Sequence, residues 1–352
     1  MAELTQVDIQ YVIEEKEKLC LIDVRSPGEF KEFHIPGAVS MPLFSNSERA
    51  EVGTLFKQKG PECAKDRGLE IVSVKLPALY KQIKTLKQSD KELVIYCWRG
   101  GMRSKSLATF MTMMGVPCSQ LKGGIRSFRR HITDDLDRIS QLNRPFIVLE
   151  GFTGSQKTDI LLGLGKKGYP VIDLEGLAGH RGSIFGSVGL EPKSQKAFEC
   201  GLWQRFNELK DAPFYIIEGE SKRIGRVILP DFISKGKEKG IGVFLHYPFE
   251  KRVEAIIREY VPDLYKDALF DAYTHLKKYL DRQLIAILDK AFDENDWRTF
   301  VSLLLEHYYD PRYRHKQKSY ERDPILLKAD NIEEGIAKFA TLIDEIMAPM
   351  LR

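Results

Sequence analysis

The residues best suited to covalent chemistry lie in the segment CWRGGMRS (97–104), where a predicted strand turns into a predicted helix. Two glycines there let successive backbone N–H groups point inward, and such a loop binds an anion. An arginine fork and the start of the helix add positive charge, which favours a thiolate. We therefore expect a nucleophilic cysteine in this loop. The catalytic candidates are Cys97, Arg99 and Arg103, and the other anion-loop candidates are Gly100, Gly101 and Ser104.

A second loop, GFTGSQKT (151–158), is suited to holding phosphates. It follows a predicted strand and precedes a predicted helix (159–168), which is the context that a P-loop requires. Lys157 would bind phosphates, and Thr158 would bind Mg²⁺ if a metal takes part. Gln156 stands where the motif has glycine, so its side chain would crowd the phosphates or require a costly backbone conformation. The loop therefore predicts phosphate binding more strongly than nucleotide hydrolysis.

Acidic residues end two further predicted strands, at the positions where a P-loop has partners for a metal or a water. A loop of small residues (176–186) follows the first pair and could close over a phosphate ester. A solvated strand end is an equally good interpretation of any one of these carboxylates. The acidic candidates are Asp173, Glu175, Glu218 and Glu220. The phosphate-binding candidates are Gly151, Thr153, Gly154, Ser155, Gln156, Lys157, Thr158, His180 and Arg181.

The elements that must position these loops alternate between strand and helix, which predicts mostly parallel α/β sheets. Residues 1–130 form one predicted domain, a helical connector covers 131–143, and 144–352 form a second domain. From Phe249 onward the second domain is predicted to be mainly helical. Both reactive loops then lie at carboxyl ends of strands, where ligands bind in open α/β sheets.

The cysteines and the apolar runs limit the class of protein. The five cysteines are scattered and form no CxxC pair, which argues against a disulfide framework and a zinc site; no metal site is assigned. We expect Cys20, Cys63, Cys118 and Cys200 to be small core residues. No apolar run approaches the roughly 20 residues that cross a bilayer, and the start of the chain has no apolar signal core. We therefore expect a cytoplasmic protein without a membrane partner.

The first domain resembles a rhodanese, or sulfurtransferase, domain. The resemblance lies in Asp23-Val24-Arg25, in HIPGA (34–38) and in the Cys97 loop. In that family the cysteine carries a transferable sulfur as a persulfide. Five residues separate Cys97 from Arg103, whereas a common rhodanese loop has four, and the longer loop resembles that of rhodanese-fold phosphatases. A wider loop would accept a tetrahedral oxyanion such as phosphate, or an analogue that carries sulfur or selenium.

The chain as a whole resembles the bacterial tRNA 2-selenouridine synthases. Nine stretches, spread over nearly the full length and in the family's order, carry this resemblance: IDVRSPGEF (22–30), NSERAEVGTLFKQKG (46–60), CWRGGMRS (97–104), GGIRSFR (123–129), GFTGSQKT (151–158), DLEGLAGHRGSIFG (173–186), EGESKRIGRVILP (218–230), HYPFEKRVE (246–254) and EHYYDPRYRH (306–315). The resemblance implies a rhodanese-like parallel-sheet domain, followed by a P-loop NTPase-like α/β domain with a helical C-terminal part.

The same resemblance implies a reaction on the wobble uridine of tRNA. The family replaces the sulfur of 2-thiouridine with selenium from selenophosphate, after geranyl diphosphate has alkylated that sulfur. The expected co-substrates are therefore selenophosphate and geranyl diphosphate. The expected partner is a tRNA that carries 2-thiouridine, and a protein that supplies selenophosphate can be another.

Contacts with tRNA are expected from basic and aromatic side chains. The net charge of +4 permits an anionic partner without requiring one. Lysine and arginine contact phosphates, while tyrosines stack on unpaired bases. A solvated helix face is the better interpretation of any single one of these residues. The tRNA-binding candidates are Arg126, Arg129, Arg130, Tyr313 and Arg314.

Two other functions stay open on the residues alone. The first is a phosphatase with a Cys-x5-Arg loop fused to an ATP-binding domain, which Gln156 disfavours. The second is a rhodanese-type sulfurtransferase or sulfur-relay protein that hands sulfur to a partner. Modified nucleosides formed from 2-thiouridine tRNA would distinguish the proposed synthase from both.

Overall fold

The computed structural model describes residues 4–87, 90–312 and 323–349. The chain divides into two units, Met1–Arg138 and Ile139–Arg352. Within the described part of the chain, no helix is both long enough and apolar enough to cross a membrane.

The first unit contains a five-stranded parallel sheet in the order β1-β5-β4-β2-β3. Its strands are β1 (Gln6–Val7), β2 (Leu19–Asp23), β3 (Val39–Ser40), β4 (Glu92–Tyr96) and β5 (Cys118–Leu121). Its helices are α1 (Ile9–Glu14), α2 (Pro27–Glu32), α3 (Asn46–Lys59), α4 (Pro61–Ser73), α5 (Leu76–Leu86), α6 (Met102–Met113) and α7 (Gly124–Gln141). Strand β4 is central and almost entirely apolar, since a parallel strand buried on both faces needs no polar side. Its carboxyl end leads directly into Cys97.

A buried ion pair fixes the carboxyl end of strand β2. The Arg25 guanidinium donates to both oxygens of Asp23, and it also donates to the Phe33 carbonyl at 2.6 Å. Both charged side chains are almost fully buried, at 1% and 0% exposure. The Asp-Val-Arg sequence therefore has a structural role, because each charge needs the other once water is excluded.

The second unit contains a five-stranded parallel sheet in the order β12-β11-β6-β8-β7 and a separate two-stranded hairpin. Its strands are β6 (Phe146–Gly151), β7 (Val171–Ile172), β8 (Tyr215–Glu218), β9 (Arg223–Ile224), β10 (Val227–Ile228), β11 (Ile241–His246) and β12 (Ile325–Lys328). Its helices are α8 (Lys157–Lys166), α9 (Leu174–Ala178), α10 (Gln195–Glu208), α11 (Asp231–Lys239), α12 (Phe249–Tyr260), α13 (Pro262–Lys277), α14 (Arg282–Asp293), α15 (Trp297–Leu304) and α16 (Ile332–Met347), and a π-helical segment covers Leu305–Tyr309. One core lies under the sheet and another lies among the C-terminal helices.

The structure differs from the sequence-based expectations at a few elements. The strand expected over 169–176 is short, because Asp173 caps helix α9 immediately afterwards. The mainly helical C-terminal region contributes one edge strand, β12, which pairs with β11. Cys63 is exposed, so the expectation that it belongs to the core is wrong.

We predict that Asp23→Ala lowers the free energy of unfolding by about 3–5 kcal/mol, because it leaves the buried Arg25 guanidinium unpaired. Urea denaturation followed by circular dichroism measures the change. The matched control is Glu62→Ala, which breaks an exposed ion pair with Lys65 and should cost about 1 kcal/mol or less. Equal losses in the two variants would contradict the structural role of Asp23.

Candidate active sites

The Cys97 thiol is buried, at 3% exposure, and its Sγ lies 3.1 Å from the Ser104 hydroxyl. Gln120 Nε2 donates to that hydroxyl at 2.8 Å, and the Gly101 carbonyl lies 3.3 Å from it. Because Gln120 supplies a hydrogen to the Ser104 oxygen, the hydroxyl proton can turn toward either Gly101 or the sulfur. Ser104 can therefore donate to a Cys97 thiolate.

The turn after strand β5 supports the cysteine loop through backbone hydrogen bonds. The Ile125 N–H donates to the Cys97 carbonyl at 2.9 Å, and the Arg126 N–H donates to the Trp98 carbonyl at 3.1 Å. A Cβ added to Gly124 would lie 2.2 Å from the Cys97 carbonyl oxygen, and the φ of Gly124 is +58°. Only glycine allows this approach.

Three positions that hold the loop were not among the sequence-based candidates. Gln120 Nε2 donates to the Gly100 carbonyl at 2.9 Å, and a Cβ on Gly100 would lie 2.9 Å from the Gly123 nitrogen. The available signal was the Gly123-Gly124 pair directly after an apolar strand, which is typical of a close backbone approach. The unassigned residues Gln120, Gly123 and Gly124 therefore shape the site without touching a reacting atom.

Two arginines meet the Glu29 carboxylate. Its Oε2 lies 3.0 Å from Arg103 Nη1 and 3.7 Å from Arg49 Nε. Burial acts to raise the pKa of the Glu29 carboxyl, but the hydrogen bond and charge of Arg103 outweigh it, so this pKa lies below its usual value. Arg103 and the exposed Arg99 line one cavity of about 950 Å³ together with Cys97. The predicted catalytic residues therefore share a cavity, and Glu29 is an additional residue that holds Arg103.

The P-loop of the second unit follows the central strand β6. Lys157 Nζ donates to the carbonyls of Gly151, at 3.0 Å, and Phe152, at 3.3 Å. Gln156 has φ 58° and ψ 30°, a left-handed conformation that usually costs a non-glycine residue about 1–2 kcal/mol. Its Oε1 accepts a hydrogen bond from the Tyr247 hydroxyl at 2.7 Å. Gln156 thus adopts the backbone conformation that glycine would supply, and Tyr247 anchors its side chain.

Arg252 supports the P-loop from helix α12. This side chain is buried, and its Nε donates to the Thr153 carbonyl at 2.9 Å. Its Nη1 donates to Asp310 at 2.9 Å, so the charge is paired. Arg252 was not a sequence-based candidate, since nothing in its local pattern shows that it reaches a loop 99 positions earlier.

The four predicted carboxylates come together beside the P-loop. Glu175 accepts from the Thr158 hydroxyl at 3.1 Å, and Glu218 accepts from the Leu174 N–H at 2.9 Å. Burial, followed by the charge of Glu220, raises the pKa of Glu175 to about 8. Burial and the neighbouring Asp173 and Glu175 raise the pKa of Glu218 well above its usual value. Among the described residues, no group of three His, Cys, Asp or Glu side chains is arranged to hold a metal ion.

A cavity of about 550 Å³ opens over the P-loop. The cationic side chains that line it are Lys157, Arg181, Arg258 and Arg312. Of these, Arg258 and Arg312 were not among the phosphate-binding candidates, because each looks like any solvated residue of a charged helix. His180 lies beside this cavity and does not line it; its Nδ1 accepts from the Gly182 N–H at 3.1 Å, and burial lowers its pKa.

The tRNA-binding candidates are only partly described. Arg126 and Arg130 are exposed on helix α7, whereas Arg129 is half-buried. Tyr313 and Arg314 lie outside the described residues. The exposed pair is therefore the part of this prediction that the structure makes accessible to a polyanion.

Comparison with known proteins places both sites in one family. The description "Rhodanese-like domain" matches residues 8–131, and the description "tRNA 2-selenouridine synthase AAA domain" matches residues 144–287. The tRNA 2-selenouridine synthase of Aeromonas salmonicida is 33% identical over 343 residues, which are 88% of this chain and 90% of that protein. The chain belongs to the tRNA 2-selenouridine synthase family. This confirms the resemblance and the fold class that the ordered sequence stretches predicted.

Other synthases match to different extents. The tRNA 2-selenouridine synthase of Shewanella loihica is 30% identical over 91% of this chain and 93% of its own length. The synthase of Nitrosomonas eutropha is 35% identical, but the alignment covers 68% of this chain and 63% of that protein. The chain thus matches less than two thirds of the length of the Nitrosomonas synthase and nearly all of the other two.

We predict that Gly124→Ala disrupts the anion loop at Cys97, because the new methyl group would overlap the Cys97 carbonyl. The quantity measured at each cysteine is the rate of alkylation by anionic iodoacetate divided by the rate for neutral iodoacetamide. In the wild type, this ratio should be higher at Cys97 than at the exposed Cys63. Gly124→Ala should lower the ratio at Cys97 about tenfold. Peptide mass spectrometry resolves the two cysteines.

The matched control is Gly115→Ala. Gly115 has φ +78°, so alanine is strained there as well, but nothing lies within 4 Å of its added Cβ. The Gly115→Ala variant should therefore keep the wild-type ratio of iodoacetate to iodoacetamide alkylation at Cys97. The same loss in both variants would show that general strain, and not contact with the cysteine loop, is responsible.

We predict that Glu175→Gln changes how stability depends on pH. With a pKa of about 8, folded Glu175 keeps a proton that the unfolded chain releases above about pH 5, so the unfolding free energy falls as pH rises toward 8. Glu175→Gln should flatten this slope and be more stable than the wild type at pH 8, by at most about 5 kcal/mol. Urea titrations at pH 5 and pH 8 measure the unfolding free energy of both proteins. The same change between the two pH values in wild type and variant would contradict the raised pKa. The control is Glu294→Gln at an exposed carboxylate, which should leave the pH dependence unchanged.

Proposed function

We propose that this protein converts 2-thiouridine at the wobble position of tRNA to 2-selenouridine, in two reactions carried by its two units. The relatives named above are tRNA 2-selenouridine synthases, and they support the overall conversion. In this proposal the P-loop unit alkylates the uridine sulfur with geranyl diphosphate. The Cys97 unit then introduces selenium from selenophosphate.

The observation that carries the alkylation step is an apolar chamber that adjoins the P-loop cavity. Thr153, Ser183, Ile256, Tyr260 and Tyr309 line both spaces. The other walls of the chamber are apolar: Phe185, Ile257, Pro262, Leu269, Trp297, Phe300, Val301, Leu304 and Leu305. A ligand with phosphates at one end and a hydrocarbon chain at the other fits this combination of surfaces.

The chamber favours geranyl diphosphate over ATP. The polar base and ribose of a nucleotide would lose hydrogen bonds to water against apolar walls, whereas a geranyl chain has none to lose. The free volume of the chamber is about 50 Å³, so its side chains must move apart to admit a chain. The glutamine at position 156 is compatible with this assignment, because phosphate binding does not require hydrolysis of a nucleotide.

The first reaction is nucleophilic substitution. The 2-thiouridine sulfur attacks C1 of the geranyl group, the C–O bond to diphosphate breaks, and the nucleobase loses its N3 proton. Lys157, Arg181, Arg258 and Arg312 would stabilise the negative charge that develops on the departing diphosphate. If Mg²⁺ takes part, Thr158 would hold it against the phosphates, and Glu175, which accepts a hydrogen bond from Thr158, would assist.

The second reaction needs selenium in reduced form next to C2 of the base. A Cys–S–Se adduct would require an oxidant, because both the thiolate sulfur and the selenium of selenophosphate are already reduced. Attack of the Cys97 thiolate on phosphorus needs none: the S–P bond forms, the P–Se bond breaks, and hydrogen selenide anion leaves. That anion attacks C2, the C2–S bond breaks, and the sulfur takes a proton and leaves as geranylthiol, while water hydrolyses the phosphocysteine.

The remaining partners follow from these substrates. Arg126 and Arg130 are proposed to contact tRNA phosphates, so binding should weaken steeply with added salt. A protein that makes selenophosphate is a proposed partner, since this substrate must reach the Cys97 loop.

We predict opposite defects in two variants. Cys97→Ala should accumulate S-geranyl-2-thiouridine and form no selenouridine, because it keeps the P-loop and lacks the thiolate. Lys157→Ala should lower geranylation by about 100-fold or more, because it removes a charge from the diphosphate site, yet it should selenate RNA that is already geranylated. Mass spectrometry of nucleosides measures both products.

Cys63→Ala is the matched control, since it removes an exposed thiol of the same unit, and it should carry out both reactions. Normal selenation by Cys97→Ala would overturn the role of the thiolate. Hydrolysis of aryl phosphates or ATP, without any modified nucleoside, would favour the phosphatase fusion instead.

A further inference from the structure

The cavity beside Cys97 is far larger than a selenophosphate ion needs. Its volume is about 950 Å³, and helices α3, α4 and α6 form its walls. The larger apolar side chains that line it are Leu43, Phe44, Val52, Phe56, Leu69, Val72, Leu76, Trp98, Met102, Leu107 and Phe110. Small tetrahedral anions are held by polar groups, so these walls call for a different ligand.

Several of these apolar side chains are left open to solvent. Phe56 is 58% exposed, Leu69 is 69% exposed and Met102 is 59% exposed, although all three line the same cavity. Single exposed apolar residues are ordinary, but a cluster around a cavity marks a surface that a ligand covers.

The charged side chains that line the cavity are all cationic, while Glu29 and Glu62, which pair with three of them, lie outside the lining. The charged side chains that line it are Arg49, Lys57, Lys65, Arg99 and Arg103, and no described aspartate or glutamate lines it. Apolar walls with cationic groups around them are complementary to a hydrocarbon chain that is attached to a polyanion. A free lipid-like chain would not need the cations, and unmodified RNA would not need the apolar walls.

We propose that this cavity binds the geranyl group of S-geranyl-2-thiouridine tRNA while selenium replaces the sulfur. This inference rests on the proposed function, because it takes geranylated tRNA as the substrate of the Cys97 unit. The chain lies along Phe56 and Leu69, the tRNA phosphates contact the cations, and C2 of the base approaches Cys97. The geranylthio group is then the leaving group, and its hydrocarbon chain is the part of the substrate that the second site recognises.

A consequence concerns the order of the two reactions. Unmodified 2-thiouridine cannot fill the apolar cavity, so it gains none of the favourable burial that holds the geranylated base. Because hydrophobic pockets discriminate by about 10–200-fold for a single methylene group, a whole geranyl chain gives ample selectivity. The site therefore selects tRNA on which the first reaction is complete.

The test uses the full-length protein, selenophosphate and two RNA anticodon stem-loops. One RNA carries S-geranyl-2-thiouridine and the other carries S-methyl-2-thiouridine, whose leaving group has similar chemistry but no chain. The wild type should selenate the geranylated RNA with a kcat/KM at least about 100-fold higher. Phe56→Ser and Leu69→Ser should lower this geranyl-to-methyl ratio about tenfold, and both positions are exposed enough for the variants to fold.

Val74→Ser is the matched control. Val74 is a 79% exposed apolar residue of the same unit, and it does not line the cavity. The geranyl-to-methyl ratio of kcat/KM for Val74→Ser should therefore equal that of the wild type. Similar kcat/KM values for the two RNAs, or unchanged ratios in both cavity variants, would overturn the inference and leave the proposed function standing. Failure of the wild type to selenate either RNA would overturn the proposed function together with the inference.

Discussion

The approach of Gly124 to the Cys97 carbonyl is the constraint on which the first site depends. Any side chain at that position would collide with the loop, so the turn after β5 can support the cysteine only through bare backbone. That support lets Gln120 reach the Gly100 carbonyl and the Ser104 hydroxyl, which in turn faces the sulfur. Gln120 on β5 therefore helps to determine the surroundings of a thiol that lies directly after the neighbouring strand β4.

The second site uses charge as well as glycine: Gly154 has φ +79°, and a Cβ added to it would lie 2.9 Å from the Arg252 carbonyl oxygen. Arg252 ties the backbone of the P-loop to Asp310, and both charges are largely shielded from water. Around the phosphate cavity, cations lie near the carboxyls of Glu175 and Glu218, whose pKa values are raised first by burial and then by neighbouring carboxylates. Because buried charges are stable only when they are paired, this unit holds its loop by an ion pair that spans distant parts of the chain.

An apolar space adjoins each anion-binding loop, and this shared arrangement connects the two proposed reactions. In the P-loop unit the apolar chamber lies next to four cations, and in the Cys97 unit apolar walls lie among five cations. A geranyl group that enters one unit on a diphosphate would be recognised in the other on a tRNA. In such a scheme alkylation has two roles: it turns the uridine sulfur into a better leaving group, and it adds an apolar chain that the second site can bind.

The sequence by itself determined the two reactive loops, because each one is a short contiguous motif between a strand and a helix. Cys97, Arg103, Lys157 and the departure from the motif at Gln156 could all be found in this way, and the order of the stretches was enough to indicate the family. The tertiary structure alone decided what surrounds them: Gly124 behind Cys97, Glu29 on Arg103, Arg252 and Arg258 at the P-loop, strand β12 at the sheet edge and both apolar spaces. These features depend on residues that are far apart in the chain and meet only when the parallel sheets and their helices pack, so no local pattern of residue types records them.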